Sequence, residues 1–209
     1  MNGENRPTLV IGTKNRSSWS LRPWLLLRHA GVAFDEVRLP LDTPEFYTSI
    51  GKYSPTGCVP ALRDGDLLLW DSLAICEYVN ERFLDGAGWP ADIVSRARAR
   101  AISAEMHSGF SALRNQCPLN CTLRTRVVPD AQSRRDIERI TTIWRECRAL
   151  VTQGPFLFGT FSIADAMYAP VVLRFVSYGI PVGPVESDYM DAMQALPALQ
   201  QWQAEAAAE

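Results

Sequence analysis

Histidine is nearly absent from this chain, with two residues in 209. Cysteine occurs five times, an odd number, and no pair is spaced as CxxC. The usual zinc-ligand patterns therefore have nothing to be built from, and no metal is expected. Reduced thiols in a cytoplasm are the simplest state for Cys58, Cys76, Cys117, Cys121 and Cys147. An excess of one charge is also missing. The net charge is -2, which gives no reason to expect a nucleic acid or an anionic membrane surface as partner. No apolar run approaches the length of a membrane span. Met1 to Pro7 is polar and includes an acidic residue, so it reads as a flexible tail over 1–7 rather than a secretory signal. Beyond residue 91 there is no strand-like alternation.

What is present falls into two textures. Thr8 to Thr13 is β-branched and apolar, a buried strand, and Leu21 to Ala30 reads as a helix closed by Gly31. Phe34, Val37 and Leu39 fall near period two, a second strand. A short helix is expected around Glu45 to Ile50. Asp64-Gly65 between two apolar runs predicts a hairpin of Ala61–Arg63 with Asp66–Trp70. Asp71 and Ser72 then open an amphipathic helix carrying Leu73, Ile75, Cys76, Val79 and Phe83. The order βαβαββα is an α/β domain over 8–84, and glycine-rich Asp85 to Ala91 reads as a linker.

From 92 to 209 the pattern is that of an all-helical bundle. Ile137, Ile140, Trp144, Cys147 and Val151 make one stripe of a long helix. Ala97, Ala101, Ala104, Ser108 and Ala112 make a narrow stripe that would let helices approach closely. "EMHSGFSALRNQ" reads as helix ended by Pro118, placing His107 and Arg114 on one face. Arg124, Arg126, Arg134 and Arg135 read as a solvated basic face. In "FSIADAMYAP", Ser162 as N-cap and Asp165 at N3 form a capping box with a folding role and no catalysis.

Four motifs then line up: "SSWSLRPW", "VPAL", "WDSLAI" and "FSIADAMYAP". In this order, and over the chain from Thr8 onward, they resemble the glutathione transferases. The first is similar to the "SSCSWR" start of helix 1 in zeta-like members, so the chain resembles a serine-type, bacterial, zeta-like member of the family. The resemblance implies a thioredoxin-like first domain, glutathione as co-substrate, a small-molecule electrophile as second substrate, and a homodimer.

A free thiol has a pKa of about 8.5, so the nucleophile is mostly protonated at neutral pH unless the site favours thiolate. A hydroxyl donor and the positive end of a helix both do so. Pro23 fits a first helical turn, which would begin near Trp19 to Leu21 and leave Ser17 and Ser18 just ahead of it. The resemblance gives Ser17 the activating position, with Ser18 beside it as the alternative. One of Ser18 or Ser20 could instead be only an N-cap. It also gives the backbone of Val59, before Pro60, to the cysteinyl part of glutathione; Val59-Pro60 is the type of bond that adopts cis. Ser72 would hold the γ-glutamyl carboxylate, Asp71 the γ-glutamyl ammonium, and Lys52 the glycyl carboxylate. Capping alone would also explain Asp71 and Ser72.

Trp19 stands where the zeta-like pattern has cysteine, which speaks against maleylacetoacetate isomerisation and puts a flat apolar wall by the sulfur. No cysteine takes the Ser17 or Ser18 position, as thiol transfer would need. His107 and Arg114, with Trp19, are the expected electrophile pocket. Two other functions stay open: a non-catalytic ligand-binding or protein-interaction module on the same fold, and a glutathione-dependent reductase or peroxidase using Cys58. A small, partly buried filler is the plainer reading of Cys58.

Overall fold

The computed structural model describes residues 6–209. Most of the expected tail, 1–5, lies outside the described residues. Pro7 is already buried, and its carbonyl accepts a hydrogen bond from the Asp35 N–H at 2.9 Å.

The first half runs β1 (Thr8–Gly12), α1 (Ser18–His29), β2 (Asp35–Leu39), α2 (Pro44–Ser49), β3 (Ala61–Asp64), β4 (Leu67–Trp70) and α3 (Ser72–Phe83). The sheet order is β2-β1-β3-β4, with β1 parallel to β2 and antiparallel to β3, and β3 antiparallel to β4. This is the βαβαββα order read from the sequence. Alternation along β1 explains its apolar run. Leu9 and Ile11 enter the main core with α1 and α3. Val10 enters a smaller cluster with Leu39, Phe46, Ile50 and Ala61 on the other face. The hairpin loop is Gly65-Asp66 rather than Asp64-Gly65, because Asp64 stays in the ladder opposite Leu67. Gly65 takes φ 59° at the first loop position, where the absence of a Cβ removes the steric cost.

Asp85 to Ala91 contains no helix or strand. It is nonetheless packed: Trp89 is buried with its indole N–H on Glu77, and Gly88 N–H donates to Asn80 Oδ1. The second half is helical: α4 (Ile93–Ser108), α5 (Ser111–Gln116), α6 (Ala131–Ala149), α7 (Ile163–Tyr178), α8 (Pro184–Gln194) and α9 (Pro197–Ala207). Two isolated bridges, Phe156–Gly159 and Phe158–Thr160, are its only strand-like pairings among the described residues. Helix α7 is buried along almost its whole length and packs on α1 and α4. Its start is fixed by Asp165, whose carboxylate accepts from the N–H and hydroxyl of Ser162 and from the N–H of Leu157. Among the described residues no helix is long and apolar enough to cross a membrane.

Three expectations need correction. The stretch Glu105 to Gln116 is not one helix. Gly109 ends α4, and Phe110 turns the chain with φ 61°, so His107 and Arg114 sit on different helices. The stripe of Ala97, Ala101, Ala104 and Ser108 faces outward, while Ala99, Ile102, Ser103 and Met106 make the buried face of α4. The α6 stripe is buried at Ile140, Trp144 and Cys147, and Val151 lies past the helix end.

Both halves meet at the β1–α1 loop. Lys14 is 2% exposed; its ammonium pairs with Glu36 at 2.8 Å and with Glu205 of α9. The Lys14 carbonyl accepts from the Trp202 indole N–H at 3.1 Å. Glu209 accepts the N–H groups of Lys14 and Asn15 at 2.7 and 3.0 Å. Asn15 Oδ1 in turn accepts the N–H of Cys121 at 2.8 Å.

Candidate functional site

A cavity of about 600 Å³ opens where the start of α1, the segment before β3 and the start of α3 face α4. That size suits a small ligand. Ser17, Ser18, Trp19, Val59, Pro60, Asp71, Ser72 and His107 all line it. Val59-Pro60 is cis.

Helix α1 begins one residue earlier than Pro23 implied. Ser17 is its N-cap residue, and Ser18 and Ser20 lie inside the first turn. Pro23 falls in the second turn, where α1 accommodates it. The Ser17 hydroxyl makes no capping bond; it donates to Ser20 Oγ at 2.7 Å. Ser20 Oγ also accepts the Gly12 N–H at 3.1 Å. Ser17, Ser18 and Trp19 line the cavity, so it lies at the helix end that carries the partial positive charge of α1.

Asp71 is the N-cap of α3, and its Oδ1 accepts from Leu73 N–H at 2.9 Å and Ala74 N–H at 3.1 Å. Its Oδ2 lies 2.9 Å from His107 Nε2. Both carboxylate oxygens are thus engaged within the protein. Asp71 also takes φ 76°, a region that costs a non-glycine residue about 1–3 kcal/mol. Such strain at a cavity wall is a mark of a functional position. Ser72 follows it, buried, with its hydroxyl oxygen 3.4 Å from Arg22 Nη1.

Two expected residues stand off the wall. Lys52 is exposed at the end of the 3-10 turn Ile50–Lys52 and does not line the cavity. Arg114 lies behind Trp19, its guanidinium 4.8 Å from the ring centre. It donates to the carbonyls of Gly109 and Met106, closing the end of α4. That occupation explains why it does not reach the cavity. His107 packs edge-on against Trp19 at 5.2 Å, so Trp19 gathers both residues although they share no helix.

Sequence reasoning missed Arg22. It is fully buried, with its guanidinium 4.3 Å from the Trp19 ring centre. Its Nε and Nη2, and Arg114 Nη1, have no hydrogen-bond partner among the described residues. Burial pulls the Arg22 pKa well below the usual arginine value, and Arg114 and Arg174 push the same way. A lone arginine between Leu21 and Leu25 on an apolar helix was the available signal. Also missed were Trp70, 45% exposed, and Tyr47, 68% exposed, which form the outer rim. Cys58 is exposed and lines the cavity, so it is not a buried filler. Among the described residues no group of three or more His, Cys, Asp or Glu is placed to hold a metal ion.

A mixed four-stranded sheet with its cavity at a serine-bearing helix start, joined to a helical half, is a two-domain thioredoxin-like architecture. The family model "Glutathione S-transferase, N-terminal domain" matches residues 16–82, and "Glutathione S-transferase, C-terminal domain" matches 96–204. The second alone spans more than half of the sequence, and the chain belongs to the glutathione S-transferase family. A zeta-class glutathione S-transferase of Euphorbia esula is 34% identical over 131 residues, 60% of this chain and 56% of that protein. The chain therefore spans just over half the length of that relative. The maleylacetoacetate isomerase of Rattus norvegicus is 28% identical, covering 93% of this chain and 91% of its own length. Among solved structures, a glutathione transferase homolog from Burkholderia gl BGR1 with bound glutathione has a TM-score of 0.76 and 25% identity. It covers 98% of this chain and 100% of its own.

Proposed function

We propose that this protein is a cytoplasmic glutathione transferase that conjugates or isomerises a small electrophile through a thiolate held by Ser17. The observation that carries this reading is the convergence of Ser17, Val59-Pro60 and Asp71-Ser72 on one cavity. Each supplies a different need of the tripeptide. The N-terminus of α1 and a hydroxyl favour the thiolate, and each pKa unit gained is worth about 1.4 kcal/mol. The Val59 backbone offers strand-like pairing to the cysteinyl unit. The start of α3 offers the Ser72 N–H and hydroxyl to the γ-glutamyl carboxylate, the Leu73 and Ala74 N–H groups being held by Asp71. Trp19 forms the wall on the electrophile side. The relatives support glutathione as co-substrate; the Burkholderia homolog carries it bound. Calorimetric titration with glutathione, and conjugation assays on Ser17→Ala and Ser18→Ala, test the reading. Full activity in both variants would sink the serine mechanism.

The exposed Cys58 in the cavity favours a second reading, a glutathione-dependent reductase or peroxidase. Loss of all turnover in Cys58→Ser, with Ser17→Ala active, would establish it over the first. The proposal includes a homodimer, supported by family membership and by the outward-facing stripe of Ala97, Ala101, Ala104 and Ser108 on α4. A monomer mass in solution would count against it. Five unpaired cysteines support the cytoplasmic setting. The domain boundaries that go with this reading are 8–84 and 92–209, with 85–91 as linker.

A further inference from the structure

We propose that Ser20 is the positioning residue of the site: it holds the Ser17 hydroxyl and drives its proton toward the glutathione sulfur. The proposal rests on the reading that Ser17 holds the thiolate.

The geometry is a short chain of donors. Ser20 is fully buried and does not line the cavity, whereas Ser17, 5% exposed, does. Their hydroxyl oxygens are 2.7 Å apart, with Ser17 donating. Gly12 N–H, at the end of β1, donates to the same Ser20 oxygen at 3.1 Å. A hydroxyl has one hydrogen to give and two lone pairs to receive with. In the arrangement described, both lone pairs of Ser20 are filled and the Ser17 hydrogen points inward, away from any ligand.

A thiolate in the cavity reverses that bond. The Ser17 O–H turns to the sulfur, which leaves a Ser17 lone pair facing Ser20. The Ser20 O–H turns to fill it, while Gly12 N–H remains on the other side of Ser20. The chain then runs from Gly12 N–H through Ser20 and Ser17 to the sulfur. Two O–H bonds rotate, no covalent bond breaks and no proton changes owner. Hydrogen bonds arranged head to tail polarise one another, so the last one, to sulfur, is the stronger for it. Because Gly12 belongs to the central strand and Ser20 to the first turn of α1, the donor is held by the two most buried elements around the site. The backbone of Ser17 is fixed as well, its N–H on the Thr13 carbonyl at 2.8 Å and its carbonyl receiving Leu21 N–H at 3.2 Å. Only the hydroxyl is left to turn.

The test is the pKa of enzyme-bound glutathione, read from ultraviolet thiolate absorbance against pH and from the pH profile of kcat/KM. It is measured in the full-length protein, in Ser20→Ala, Ser17→Ala and the double variant. Ser20→Ala is expected to raise that pKa by about half to one pH unit. This gives a three- to tenfold loss of kcat/KM at lower pH, with glutathione affinity changed less than about twofold. The double variant is expected to match Ser17→Ala alone, because Ser20 acts through Ser17. Ser20→Cys, which keeps the shape and a weak donor, is expected to fall between wild type and Ser20→Ala; it also serves if Ser20→Ala fails to fold. A pKa unmoved in Ser20→Ala but raised in Ser17→Ala overturns the proposal and leaves the serine reading standing. Additive shifts in the double variant overturn it too. A pKa unmoved in Ser17→Ala brings down the serine reading itself, and this proposal with it.

Discussion

His107 Nε2 lies 2.9 Å from Asp71 Oδ2, so α4 of the helical domain grips the residue that opens α3 in the sheet domain. The same carboxylate caps α3 with its other oxygen. Two contributions of different size are therefore joined in one side chain. The cap is worth about 0.5–2 kcal/mol. The His107 pair has side chains 28% and 40% exposed and contributes under about 1 kcal/mol. Asp71→Ala is expected to lower Tm by roughly 2–8 °C, and His107→Leu by no more than about 3 °C. Equal losses in thermal melts would show that the pair, not the cap, carries the stability.

Arg22→Met is expected to separate stability from binding. The guanidinium is fully buried with two nitrogens unpartnered among the described residues. Replacing such a charge by an apolar chain of similar length is neutral or stabilising. Tm should hold or rise. The glutathione KM should rise about two- to fivefold, because Ser72 Oγ loses the donor that leaves its own proton for a ligand. A clear fall in Tm would mean that the guanidinium is compensated.

Cysteine labelling offers a direct map of the cavity. Cys58 is exposed, whereas Cys76, Cys117, Cys121 and Cys147 are buried. Burial pushes the thiols of Cys121 and Cys147 up to about 11, which suppresses thiolate at neutral pH roughly a hundredfold against an ordinary cysteine. Iodoacetamide on the native protein should modify Cys58 alone, as read by peptide mass spectrometry. An S-alkyl glutathione should slow that modification about tenfold or more, because Cys58 lines the cavity. Labelling unaffected by the glutathione analogue would place the ligand elsewhere.

Asp165 sets a pH dependence of opposite sign to the usual carboxylate. Burial raises its pKa to about 6, against hydrogen bonds from Leu157 and Ser162 that lower it. In the unfolded chain it titrates near 3.8. Between these values the folded state binds the extra proton, so this group's contribution to stability falls as pH rises from about 4 to 6. The gap in unfolding free energy between wild type and Asp165→Ala should be wider at pH 4 than at pH 7, by up to about 3 kcal/mol. A gap that narrows toward low pH would show a carboxylate held ionised by its donors.

The sheet domain was legible because its punctuation is local. Gly31 closes α1, Asp71 opens α3, and Gly65 turns the hairpin, each for a reason that one or two residues supply. The hairpin shifted by one residue because Asp and Gly are both good turn formers, and only the ladder decides which one stays in it. The break between α4 and α5 was harder. It rests on Phe110 at positive φ, which a bulky residue adopts only under tertiary constraint. Convergence of Ser17, Val59 and Ser72 could be read from motif order, since each sits at an element boundary. Arg22 lies three residues beyond Trp19 in α1, within reach of helical spacing, but the placing of Arg114 and His107 around Trp19 could not be read. Those contacts join helices far apart in sequence, and no periodicity encodes them.

Lys14, Trp202 and Glu209 have a consequence for how this protein could be taken apart. The loop that carries Ser17 is held by residues nearly two hundred positions downstream. Its shape is shared property of both ends of the chain. A sheet domain transplanted onto another helical partner would keep every serine and still lose the mould around them, unless α9 travelled with it.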